Sequence, residues 1–153
     1  MTNIVASFYK YVAISNPLKS RDEQLELCQF LGLKGRILIG NEGINGSVCG
    51  KKEDVKKYKE SLRKNILFSD VEFKEQEAEK QAFSRLYISV REEIVHFGFK
   101  VDLRNTANFI SPKQLKIWLD SNEDIVLVDM RNDYESKIGK FRNAVTLNVG
   151  NFR

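Results

Sequence analysis

The chain has 153 residues, 42% of them apolar and 30% charged, with 25 Lys and Arg against 21 Asp and Glu for a formal net charge of +4. That balance belongs to a folded domain and excludes a chain that crosses a membrane, because no apolar run reaches the roughly 18 residues a span needs. The start, MTNIVASFYKYVAIS, lacks a basic flank ahead of an apolar block, and Cys28 and Cys49 form no CxxC pair, so neither a secretory signal nor a zinc site is expected. A reducing, cytoplasmic setting fits, and the small positive excess permits contact with a polyanion without requiring it.

In chain order, the aromatic and β-branched residues of 8–15 read as a strand, ended by Pro17. A helix follows, with Leu18, Leu25, Leu27, Cys28 and Leu31 near helical spacing. Ser20 and Glu23 form a capping box for it, and Gly32 stops it. The stretch GRILIGNEGINGSVCG then places two apolar strands, 37–39 and 44–48, around a polar turn. Gly43 and Gly46 serve that reversal, and Asn41 and Asn45 tolerate the left-handed backbone. Residues 51–64 form a second helix with Val55, Tyr58 and Leu62 on one stripe. Residues 70–74 and 83–91 read as two more strands.

This order, β-α-β-β-α-β with one extra strand, predicts an α+β fold of the ferredoxin-like kind over residues 1–98. Its sheet would be antiparallel, with both helices on one face and the other face open. Residues 99–111 read as a linker. From 112 the grammar changes: Ser111-Pro112 opens a helix carrying Leu115, Trp118 and Leu119 on one face. The apolar run 125–131 suits a parallel strand buried on both faces, a short helical turn follows, and 144–149 is another strand. Residues 112–153 therefore hold about one β-α-β unit, an incomplete α/β domain whose exposed strand invites self-association.

VDMRNDYESKIGKFRNA resembles the opening of a rhodanese domain: Asp129, Arg131, Tyr134, Glu135, Gly139, Phe141 and Ala144 match its pattern. Paired with GRILIGNEGINGSVCG, it makes nearly the whole chain similar to the N-terminal part of the oxygen-dependent tRNA uridine hydroxylases, which form 5-hydroxyuridine at the wobble position. The resemblance implies an acylphosphatase-like domain followed by a rhodanese domain. It also implies tRNA as partner, molecular oxygen as co-substrate, and a catalytic cysteine beyond Arg153, so that this chain alone would be inactive. A plain rhodanese-type sulfurtransferase, or a non-catalytic interaction module, is the competing reading, but ordinary rhodaneses carry no such domain upstream.

Candidate site residues follow from the charges. Lys51, Lys52, Lys56, Lys57, Lys59, Arg63 and Lys64 stand against Glu53, Asp54 and Glu60 on the second helix, seven positive charges to three negative. Such a face can track phosphates, and it is equally a solvated helix surface. Glu42 is unexplained by the turn: it either bonds backbone N–H groups there or meets a partner, and Asn45 shares that loop. Tyr9, Tyr11, Phe73, Tyr87 and Phe97 offer stacking surfaces on an open sheet face, or simply fill a core. Acylphosphatase chemistry is not expected, because Ile14-Ser15-Asn16-Pro17 replaces the glycine-rich, arginine-bearing anion loop. His96 is the lone histidine and flanks a strand end. Cys28 and Cys49 read as packed structural thiols.

Overall fold

The computed structural model describes residues 2–95, 98, 107–121 and 123–147. It divides into two compact units, Met1–Val95 and His96–Arg153. His96, Phe97 and most of the expected linker lie outside the described residues.

The first unit runs β1 (Asn3–Tyr11), α1 (Pro17–Phe30), β2 (Lys34–Gly40), β3 (Gly43–Lys51), α2 (Lys52–Lys64), a short 3-10 turn at Ile66–Phe68, β4 (Phe73–Ala78) and β5 (Leu86–Val90). The sheet order is β4-β1-β3-β2-β5. Its first four strands pair antiparallel, and β5 joins β2 in parallel. The extra strand therefore makes the sheet mixed, where a purely antiparallel one was expected. One row across it, Phe8–Gly46–Ile37, faces the core. A Cβ on Gly46 would come within 2.9 Å of the Ile37 side chain, so this glycine makes room for packing inside β3 and takes no part in the reversal. The turn belongs to Gly43, whose φ of +148° excludes a side chain, as does the Lys10 carbonyl, 2.0 Å from where a Cβ would stand. Asn45 lies within β3, and neither it nor Asn41 adopts a positive φ.

Several boundaries move for physical reasons. Ile4, Ala6 and Phe8 alternate into the core, so β1 begins earlier than 8–15. It stops at Tyr11 because Val12 and Ile14 give their N–H groups to the Glu42 and Asn41 carbonyls of the turn. Asn16, not Ser20, caps α1: its side chain accepts the Lys19 N–H, with Pro17 at the first helical position. The stripe of α1 is also narrower than its leucines suggested, since Leu18 and Phe30 are exposed while Gln24 and Cys28 are buried. Residues 70–72 belong to a turn in which Val71 donates to the Phe68 carbonyl, and β4 starts only at Phe73. Its run of charged residues suits an edge strand.

The core packs both helices on one face of the sheet. Phe8 meets Tyr58 and Phe73 with ring centroids 5.8 and 5.1 Å apart. The buried Tyr58 hydroxyl donates to Gln24 Oε1 at 2.8 Å, tying α2 to α1. The opposite face is only partly open. Because β4 and β5 occupy opposite edges, residues 79–85 must cross it. There Gln81 donates to the Cys49 carbonyl and the Ala82 N–H points at Cys49 Sγ, 3.5 Å away. Cys49 is thus buried under a crossing segment, not in the helix-side core.

In the second unit, α3 (Pro112–Asp120) is capped by Ser111, whose Oγ accepts the Gln114 N–H. β6 (Val128–Asp129) and β7 (Val145–Thr146) pair in parallel, with α4 (Asp133–Ile138) between them. The expected strand at 125–131 contracts to two residues. It is not buried on both faces: Val126 is 76% exposed and Val128 41%. Among the described residues β6 and β7 form a sheet of only two strands, with no third strand beside it.

Candidate nucleic-acid interface

α2 forms because Val55, Tyr58 and Leu62 recur at helical spacing and bury completely against the sheet. Glu53 and Asp54 in the first turn and Arg63 and Lys64 in the last complement its dipole. Burying one stripe turns the remaining cations outward, but they do not all face solvent freely. Lys59 pairs with Glu75 of β4 and lies 5.7 Å from the Phe73 ring centre. Arg63 donates through Nε (3.2 Å) and Nη2 (2.9 Å) to the Val71 carbonyl and stacks 5.2 Å from the same ring. These two candidates hold the α2–β4 connection. Lys51, Lys52, Lys56, Lys57 and Lys64 remain exposed. Lys56 and Lys57 make only long ion pairs, to Glu60 (3.9 Å) and Asp54 (3.6 Å), and exposed pairs of that kind contribute about 0–1 kcal/mol. The exposed set forms the free cationic patch.

The Asn41-Glu42 turn has a different role. Glu42 Oε1 accepts the Ile94 N–H at 2.7 Å, and Asn45 Nδ2 donates to the Ile94 carbonyl at 2.9 Å. Together they clasp the chain as it leaves β5, and Ile94 is buried against Gly40. Burial, followed by the charges of Glu42, Tyr9 and Glu93, raises the Tyr11 phenol above its ordinary value. The Glu42 carboxylate thus bonds backbone N–H, but of a segment 52 residues further on. Sequence spacing carries no signal for such a contact.

In the second unit, the Asp-x-Arg motif is a local staple. Arg131 forks onto Asp129 through Nε (2.9 Å) and Nη2 (2.6 Å), and Nη2 also reaches the Gly139 carbonyl at 2.7 Å. The Arg131 backbone N–H and the Ser136 hydroxyl donate to the same carboxylate. The guanidinium first, and these donors after it, hold the Asp129 carboxyl far below the usual carboxylate range. The motif fixes β6 to the end of α4. It leaves the carboxylate ionised and fully bonded, which suits positioning and not proton transfer.

Neither cysteine is placed to act as a nucleophile. Burial pushes the Cys28 thiol up to about 12, and Cys49 has no exposed surface. Among the described residues, no group of three or more His, Cys, Asp or Glu is arranged to hold a metal, and no helix is long and apolar enough to cross a membrane. Asn16, in the segment between β1 and α1, is engaged as a helix cap.

Residues 3–94, which span the five-stranded sheet and its two helices, match the family described as the UPF0176 acylphosphatase like domain. The chain belongs to that family. It is 43% identical over 157 residues to the tRNA uridine(34) hydroxylase of Streptococcus suis (strain 05ZYH33). It is 41% identical over 157 residues to that of Streptococcus pyogenes serotype M5 (strain Manfredo). Each alignment takes in 97% of this chain and 48% of the relative, so the chain spans about half the length of the curated relatives it matches. The dark-state structure of BlrB, a BLUF protein, superposes with a TM-score of 0.51 at 10% identity, over 59% of this chain and 74% of that one. At that identity the likeness concerns the fold alone. The acylphosphatase-like domain is thus an α+β, ferredoxin-like sheet with a fifth, parallel strand.

Proposed function

We propose that this chain is the N-terminal part of a tRNA uridine hydroxylase, acting in the cytoplasm on the wobble uridine to give 5-hydroxyuridine with molecular oxygen as co-substrate. The observation that carries this reading is the 41–43% identity, sustained over 97% of the chain, to proteins of that name. The acylphosphatase-like domain contributes tRNA affinity through the exposed α2 lysines, because phosphate contacts supply most sequence-independent binding. The second unit is the opening of a rhodanese domain, and Asp129 with Arg131 shapes it. The chemistry is assigned to the half of the relatives that this chain does not span, since both thiols here are buried.

Two measurements test this. Nucleoside mass spectrometry of tRNA from cells lacking the gene should show loss of wobble 5-hydroxyuridine, and an unchanged level overturns the reading. For the purified chain, replacing Lys52, Lys56 and Lys57 with glutamine should weaken tRNA binding. It should also flatten the salt dependence by roughly 0.7–0.9 in log–log slope for every phosphate the variant no longer neutralises. Binding equal to that of the parent at low salt removes α2 from the interface.

A further inference from the structure

The open side of the sheet carries a second concentration of positive charge, at the β2–β5 edge. Arg36 of β2 pairs in register with Tyr87 of β5, and its guanidinium lies 5.9 Å from the centre of the Tyr87 ring. Arg85, where the crossing segment enters β5, lies 6.0 Å from the same ring. Arg91, just after β5, donates through Nη2 to the Tyr87 hydroxyl at 2.9 Å. One phenol thus gathers three guanidiniums. Among the described residues none of the three forms an ion pair with a carboxylate, although the chain holds 21 Asp and Glu. All three are exposed. A cleft of about 370 Å³ opens beside them, lined by Gly35, Arg36, Phe83, Ser84, Arg85 and Tyr87.

Like charges gathered without a counter-charge repel one another, so the arrangement costs stability unless an anion fills it. By contrast, Lys10 of β1 pairs with Asp70 and Lys59 of α2 pairs with Glu75. Guanidiniums, planar and weakly hydrated, suit phosphate oxygens bidentately, and an aromatic ring holds them oriented at little entropic cost. The half-buried Phe83 adds an apolar wall suited to a sugar or base edge.

We infer that the Arg36–Arg85–Arg91 cluster around Tyr87 is a phosphate-binding site for RNA, distinct from the α2 lysines and on the other face of the sheet. The inference rests on the tRNA reading for its ligand, while the anion chemistry stands on the cluster itself. Phosphate of an RNA backbone and free inorganic phosphate share this chemistry, and the RNA source is favoured here by the aromatic and apolar lining.

The test uses the 153-residue chain. Fluorescence anisotropy with unmodified tRNA should show binding at least tenfold weaker for Arg36→Gln/Arg85→Gln, with a salt slope shallower by about 0.7 for each single-strand phosphate left without its guanidinium. Tyr87→Phe, which keeps the ring but frees Arg91, should fall in between. A double variant that is folded by circular dichroism and binds tRNA like the parent overturns the inference and leaves the tRNA reading intact. If the parent itself fails to bind tRNA, the tRNA reading falls. The site is then judged by the Arg side-chain Nε–H resonances of the parent titrated with oligouridylate and, separately, inorganic phosphate. Shifts at Arg36 and Arg85 with oligouridylate at lower concentration than with phosphate support an RNA site. Equal response to both, or none, overturns it.

Discussion

The Tyr58–Gln24 hydrogen bond is the sharpest test of how the first unit holds α2 in place. Tyr58 has no exposed surface, Gln24 is 7% exposed, and their 2.8 Å bond joins two helices 34 residues apart in sequence. Tyr58→Phe keeps the ring against Phe8 and removes only the donor, so the Gln24 amide oxygen is left buried without its partner. A buried acceptor stripped of its hydrogen bond costs about 1–3 kcal/mol. For a unit of this size that lowers Tm by roughly 4–8 °C per kcal/mol. Gln24→Leu/Tyr58→Phe removes both polar partners and should recover most of the loss, because two apolar groups of similar shape need no bond. Urea unfolding of the parent, both single variants and the double variant gives the coupling free energy directly. A Tyr58→Phe variant within about 0.3 kcal/mol of the parent, or a double variant as unstable as the sum of the singles, refutes the reasoning.

Two further outcomes follow from the same packing. The Cys28 thiol, pushed by burial from an ordinary value of 9.0 up to about 12, favours the folded state fully below pH 9. That contribution fades as pH rises from 9 toward 12, and Cys28→Ala should flatten the alkaline loss of stability measured by urea midpoints across this range. Glu42→Ala should destabilise the chain by about 1–3 kcal/mol by orphaning the Ile94 N–H, while Glu42→Gln, which retains an acceptor oxygen, should cost less. Amide exchange at Ile94 reports the difference, and equal protection in the two variants would sink the clasp.

Local pattern alone determined a good deal of this protein. Val55, Tyr58 and Leu62 announce α2 and its buried stripe, because a 3.6-residue period has one physical solution on a sheet. Gly32 and Ser111-Pro112 mark helix ends through backbone preferences that act over three or four residues. The two halves of GRILIGNEGINGSVCG pair as adjacent strands because a short turn leaves them little else to pair with. What depends on distant partners stayed hidden. The parallel docking of β5 beside β2, the crossing of residues 79–85 over Cys49, and the union of Glu42 with Ile94 are decided by which edge of the sheet remains free. The same holds for the cationic sites. Seven cations over residues 51–64 are visible as a count, yet only the tertiary fold shows that Lys51 ends β3 and that Lys59 and Arg63 are engaged with Glu75, Val71 and Phe73. Arg36, Arg85 and Arg91, scattered along the sequence, become one site only because β2 and β5 run side by side and Tyr87 stands between them.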